Sequence, residues 1–232
     1  MADHFQEIYA SHADQYDRLV SCEDYQGNIL RALMRIRALD GLEMVEMGAG
    51  TGRLTRLLAP LARTIRAYDV SLHMLNLASV RLKALGLANY QLAVGEHCRL
   101  PSKNASANLV IEGWSFGHLV RWYPQTWREE IEEVLCEVKR VLRPGGTVII
   151  IETLGTGTEM PHPPSSELEA FYSWLEEYGF AAKWISTDYR FASLIEAEEL
   201  TRFFFGEALA DRVVKEKRII LPECTGIWWL TV

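Results

Sequence analysis

The chain has 232 residues, 49% of them hydrophobic and 24% charged, which is enough apolar material for one well-buried core in an ordinary globular protein. Its formal net charge of −7, with no basic cluster beyond the helix-spaced Arg31, Arg35 and Arg37, argues against a nucleic-acid partner. Neither a signal peptide nor an apolar run approaching the ~20 residues of a membrane span is visible, and Cys22, Cys98, Cys136 and Cys224 are scattered without metal-ligand spacing, so a cytoplasmic protein without a metal or membrane association is expected.

Residues 1–40 read as a helical cap, with Ile29, Leu30, Leu33, Met34 and Ile36 on one face, and Asp40-Gly41 as the break. Helix and strand signals then alternate. The short apolar run 42–47 reads as a buried strand and 52–61 as a helix ending near Pro60. A strand is expected over 64–68, a helix capped by Ser71 up to Gly86, and strands at 90–94 and 108–111. An amphipathic helix follows over 127–142, built on Ile131, Val134, Leu135, Val138 and Val141. Pro144-Gly145-Gly146 turns the chain into the β-branched strand 147–151. This alternation implies right-handed crossovers and a mostly parallel sheet with helices on both faces. Residues 155–166 are rich in Gly, Pro, Ser and Thr and read as a lid-like loop. Helices at 166–178 and 197–215 and strands at 182–189, 218–221 and 225–231 complete the chain, the last ones as an antiparallel hairpin on the sheet edge. The expected organisation is one domain over 1–232, with a cap (1–40), a ligand-binding core (41–152) and a substrate-side portion (153–232).

The most informative segment is Glu46-Met47-Gly48-Ala49-Gly50-Thr51-Gly52, at a strand end and opening a helix. Glycines there permit a sharp turn and close approach of a ligand, and the helix start offers free N–H groups. Asp69 ends the second strand. In doubly wound folds an acid at that position reaches the ribose hydroxyls of a bound nucleoside; a helix N-cap is its plain alternative, although Ser71 can serve instead.

In this order the residues resemble the class I S-adenosylmethionine (SAM)-dependent methyltransferase superfamily, and most of all its small-molecule, ubiquinone-biosynthesis-like branch. The likeness runs from about residue 9 to 152. Residues 46–52 resemble the first motif, which wraps the methionine part of SAM, and Asp69, followed by Val70, resembles the ribose-binding acid. Gly95-Glu96, followed by His97, resembles the Gly-Asp pair that receives the adenine amine, with Glu in place of Asp. Leu100-Pro101, Asn108-Leu109-Val110-Ile111 and residues 137–146 match later segments, and Tyr16-Asp17 resembles a pair in the N-terminal cap. The resemblance implies a Rossmann-like, doubly wound, seven-stranded sheet, SAM as cofactor with S-adenosylhomocysteine as product, and a small-molecule acceptor, in a monomer or homodimer.

The cofactor would be held by Tyr16, Glu46, Gly48, Ala49, Gly50, Gly52, Asp69, Val70, Gly95, Glu96, His97 and Glu112. Glu46 stands near the methionine end on this reading, or faces a helix in a structural role. The stretch 112–118 lies where the family places its substrate. There His118 is the candidate base, or packs and caps a helix; Trp114 and Phe116 either wall an apolar pocket or belong to the core. Tyr9 and Tyr172, with Tyr16, can close over the site from cap and lid, where His162 also lies. Arg190 and Trp228-Trp229 can approach the substrate side. An NAD(P)-dependent oxidoreductase shares the Gly-rich turn and the acid, but the turn reads GxGxG rather than GxGxxG, and no Tyr-x-x-x-Lys follows. A non-catalytic SAM-binding regulator is the other alternative.

Overall fold

The structure, a computed structural model, describes residues 4–232. Three helices come first, α1 (His4–Ser11), α2 (Ala13–Cys22) and α3 (Asn28–Ile36). The alternating core follows as β1 (Glu43–Met47), α4 (Arg53–Leu58), β2 (Thr64–Asp69), α5 (Leu72–Ala84), β3 (Tyr90–Val94), β4 (Ala107–Gly113), α6 (Phe116–Trp122), α7 (Trp127–Val141) and β5 (Leu142–Thr156). The remainder is α8 (Ser166–Tyr178), β6 (Ala181–Ser186), β7 (Tyr189–Arg190), α9 (Leu194–Phe205), α10 (Glu207–Glu216), β8 (Ile220–Leu221) and β9 (Glu223–Thr231).

Seven strands form one sheet in the order β3-β2-β1-β4-β5-β9-β6, and β7 pairs with β8 separately. Strands β1 to β5 run parallel, while β9 lies antiparallel to both of its neighbours, β5 and β6. The strand order reverses between β1 and β4, which opens a crevice at their carboxyl ends, where ligands of open α/β sheets bind.

The β-branched run of β5 shows why the sheet is covered twice. Strand side chains alternate between faces, so Val148 and Ile150 pack with Ile131, Val134 and Phe171, while Ile149 and Ile151 pack with Ile29, Leu33, Leu54 and Leu58 on the other face. A third cluster joins Leu19 of α2 to Tyr189, Phe191, Leu200, Val213 and Leu221. The N-terminal helices and the C-terminal helices thus meet above the carboxyl edge of the sheet. Asp17 adds a polar anchor, with its carboxylate 3.0 Å from Arg56 of α4 and 2.8 Å from Arg81 of α5. Among the described residues no helix is long and apolar enough to cross a membrane.

Several boundaries differ from the sequence reading. The stretch after β4 is not a plain loop, because Phe116–Trp122 forms α6. Strand β5 runs through Pro144-Gly145-Gly146 and on to Thr156, since β9 supplies it with partners as far as Glu223. The helix expected over 197–215 is two helices, broken at Gly206, whose φ of 88° is costly for other residues. Pro222 separates β8 from β9, which belong to different sheets. The late strands do pair antiparallel, with β6 outermost and β9 inserted beside β5.

Candidate functional site

The turn after β1 uses backbone conformations that favour glycine, with φ of 68° at Gly48 and 52° at Gly50. It is fastened to β2 twice: Ala49 N–H donates to the Tyr68 carbonyl (2.9 Å) and Gly50 N–H to Asp69 Oδ2 (2.8 Å). The other oxygen of Asp69 accepts from Ser71 N–H (2.8 Å). Ser71 itself caps α5, accepting from Met74 N–H (3.3 Å), so Asp69 is not the cap but the brace between the two turns. Burial pushes its carboxyl up, and the two backbone donors pull it back. Beside it Val70 and, across the strand pair, Val94 are exposed apolar residues at 64% and 53%. Gly95 packs under Pro101, and Glu96 beyond it is exposed. Gly52 begins α4, packed against Ala78.

Glu46 is fully buried and turned toward α4, where its carboxyl accepts from the Thr55 hydroxyl. Burial raises its pKa to about 8. Of the two roles considered for Glu46, the structure has the helix-facing one.

The ends of β3 and β4 close on the turn. A Cβ built on Gly48 would lie 2.6 Å from Ser115 Cβ and 3.4 Å from His97 Cε1. The open flank of Gly48 is therefore taken by the β4–α6 segment itself. His97 meets the edge of Phe116, with ring centres 5.4 Å apart, and burial lowers its pKa to about 4. Glu112 holds the segment: its Oε1 accepts from Phe116 N–H (3.0 Å) and from the Ser115 hydroxyl (2.8 Å), while Oε2 has no partner. Burial pushes this carboxyl up, against those donors.

A cavity of about 680 Å³ opens between the N-terminal helices, α6 and the C-terminal portion. Tyr16 connects it to the glycine turn, lining the cavity and lying 3.8 Å from where a Cβ of Gly50 would be. His118 projects from α6, its Nε2 2.8 Å from the Tyr9 hydroxyl and its ring stacked on Trp122 at 5.1 Å. Trp114, held at a φ of 57°, lies beneath the Arg53 guanidinium at 4.0 Å, and Arg53 pairs with Glu23 (2.8 Å). Two more carboxyls line the cavity. Glu152, at the end of β5's buried run, accepts from Gly117 N–H (2.7 Å). Glu223, opening β9, accepts from the Thr153 hydroxyl (2.6 Å). Burial pushes both pKa values upward, helped by Glu112 on Glu152 and by Glu23 on Glu223.

The fold therefore brings Tyr9, Tyr16, Trp114 and His118 to one cavity. Asp69, Val70, Gly95, Glu96 and His97 gather along the neighbouring strand ends. Phe116 is corrected to a core residue: it begins α6 with its ring inward, fully buried among Val120, Ile131 and Phe171, outside the lining of the cavity. Arg190 is also corrected: on β7 it points outward, stacked over Tyr25 at 4.7 Å, outside the cavity lining. Tyr172 and Trp228 stack on each other within the core, 4.6 Å apart, rather than reaching the site. His162 does line the cavity. Missed in the sequence were Glu23, Arg53, Glu152 and Glu223. Glu152 had a signal, an acid at the end of an otherwise apolar strand; Glu223 had none, since only the pairing of β9 with β5 carries it to the site.

Residues 45–150 match the family described as the methyltransferase domain. A demethylmenaquinone methyltransferase of Lactococcus lactis is 28% identical over 64% of this chain and 58% of its own length, so the chain spans little more than half of that relative. Among solved structures, the YcgJ protein of Bacillus subtilis superposes with a TM-score of 0.59 at 13% identity, over 87% of this chain and 97% of that one. A SAM-dependent methyltransferase of Aquifex aeolicus gives 0.55 at 20% identity, over 88% and 89%. At such identities the structural likeness speaks to the fold.

Proposed function

We propose that this chain, which matches the methyltransferase domain family over residues 45–150, is an enzyme that transfers the methyl group of SAM to a small molecule held in the cavity beside the glycine turn. The observation that carries this reading is the position of Tyr16, which faces both the backbone of Gly50 and the interior of a cavity large enough for a second small molecule. A non-catalytic SAM-binding module would have no use for that cavity.

The residues present fit a nucleoside-containing cofactor. Asp69 sits at the end of β2 with a carboxylate already ordered by two N–H donors, suited to two vicinal hydroxyls. Val70 and Val94 offer an exposed apolar strip suited to a base, with Glu96 next along the chain to receive an exocyclic amine. The backbone of Gly50, beside Tyr16, is suited to the amino-acid portion, and the unpartnered Oε2 of Glu112 is a buried acceptor on the same edge. The sulfonium supplies an already activated methyl carbon, so the protein has mainly to position the acceptor.

Positioning falls to the cavity. Tyr9 and His118 hold each other by a hydrogen bond, which fixes the imidazole edge that faces the interior. His118 is the group that would take a proton from an acceptor arriving protonated. Trp114, clamped under Arg53, forms a rigid wall. The test is calorimetric titration of the purified protein with SAM and, separately, with NADH. SAM binding without NADH binding supports the proposal; the opposite result moves the protein to the oxidoreductases.

A further inference from the structure

We propose that the acceptor is a small molecule bearing a cationic nitrogen, a protonated amine or an ammonium, received in the cavity by Glu223 and Glu152 between aromatic walls; that it is an acceptor rests on the methyl-transfer reading.

Glu223 is 2% exposed, and its Oε2 has no hydrogen-bond partner, although Thr156 lies beside the carboxyl. Its Oε1 is satisfied by Thr153, so one oxygen is left over at the cavity wall. A buried carboxyl oxygen without a donor is costly, and a ligand N–H would satisfy it. Glu152 is equally enclosed and takes its hydrogen bond from a backbone N–H rather than from a cation.

The charges around the cavity point the same way. Its lining includes the acids Glu23, Glu152, Glu167 and Glu223 and the arginines Arg53 and Arg121. Arg53 is committed to Glu23 and stacked on Trp114, and Arg121 lies over the Phe5 ring. Among the described residues neither Glu152 nor Glu223 forms an ion pair. A ligand without donors would leave the buried carboxyl oxygen of Glu223 unsatisfied, whereas an ammonium supplies N–H donors and, to carboxyls that ionise on its arrival, a countercharge. Tyr16, Tyr189, Phe204 and Phe205 line the same space, and aromatic faces attract cations further.

Burial and neighbouring acids favour the protonated carboxyls. Glu23, Tyr172 and Tyr189 act in that sense on Glu223, with Arg53 opposing them, and Glu112 and Tyr172 act so on Glu152. An arriving ammonium reverses that preference, so its binding expels a proton to solvent.

The experiment compares 4-phenylbutylamine with 4-phenylbutan-1-ol, matched in shape and differing in charge, by calorimetry near pH 7.5. Each is titrated with and without saturating S-adenosylhomocysteine, in phosphate and in Tris, whose ionisation heats differ. The amine is expected to bind about tenfold tighter than the alcohol and to release a proton that the alcohol does not. In Glu223→Gln the preference should fall to about twofold or less while S-adenosylhomocysteine still binds; Glu152→Gln gives an independent second reading. Equal or tighter binding of the alcohol, a preference that survives both substitutions, or no binding of the amine overturns the proposal. Failure of S-adenosylhomocysteine and SAM to bind, with amine selectivity intact, would refute the methyl-transfer reading and leave a cation-binding cavity.

Discussion

Replacing Asp17 with alanine should detach the N-terminal cap from the sheet more than it harms the core. The Asp17 side chain is 4% exposed and is the shared partner of Arg56 and Arg81, at 3.0 and 2.8 Å. Removing one member of a buried ion pair costs about 3–5 kcal/mol when the orphaned charge stays buried. Here the two arginine side chains are 21% and 41% exposed and can turn to water, which brings the expected loss to roughly 2 kcal/mol. For a chain of this size that is a Tm drop of roughly 4–8 °C. Asn at the same position can still accept from one guanidinium and should recover part of the loss. Urea denaturation and scanning calorimetry give the magnitude, and amide hydrogen exchange gives the location: α1 and α2 should exchange faster, while β1, β4 and β5 change little. A Tm within about 1 °C of wild type, or acceleration spread evenly over the sheet, would refute the view that this triad fastens the cap.

Asp69→Ala should weaken SAM binding by about a hundredfold, through loss of a charged acceptor and of the brace on the Gly50 and Ser71 N–H groups; near wild-type affinity in calorimetry would remove the ribose assignment. Stability should fall as pH rises from about 6.5 to 8, by up to ~1.4 kcal/mol per unit for each such carboxyl. The sign follows from Glu46, whose pKa burial raises to about 8: the folded protein keeps a proton that the unfolded chain has already released, so this stabilisation is complete only at lower pH. His97, depressed to about 4, acts in the opposite sense but only below about 6.5, which is why the upper window isolates the acids. Glu46→Gln should flatten the slope measured by urea titration at several pH values, and an unchanged slope would show that Glu46 is ionised when folded. His118→Ala should retain SAM binding and lose turnover with a protonated acceptor; full turnover would show that His118 is not the base.

Much of this protein is legible in its sequence, and for local reasons. The alternation of short β-branched runs with 3.6-period stretches names the strands and helices of the core, because burial on two faces demands continuous apolar strands and on one face an apolar stripe. The Gly-rich turn and Asp69 are equally local: the turn requires residues that tolerate positive φ, and the acid follows directly at the next strand end. Helix α6 was not legible, since seven residues with Gly117 inside carry little periodic signal and the segment is held by Glu112 and Glu152 from two strands. The same helix decides that Phe116 faces the core and His118 the cavity. Arg190 faces outward because β7 pairs with β8 in a separate small sheet. The cavity itself is a tertiary object. Phe5, Arg53, Glu152 and Glu223 come from distant stretches of chain, and no spacing rule relates them. Sequence alone determined the core elements, the turn and the acid beside it, because those depend on neighbours along the chain. Which carboxyls line the cavity was decided only by packing, when β9 entered the sheet beside β5 and the cap closed over the strand ends.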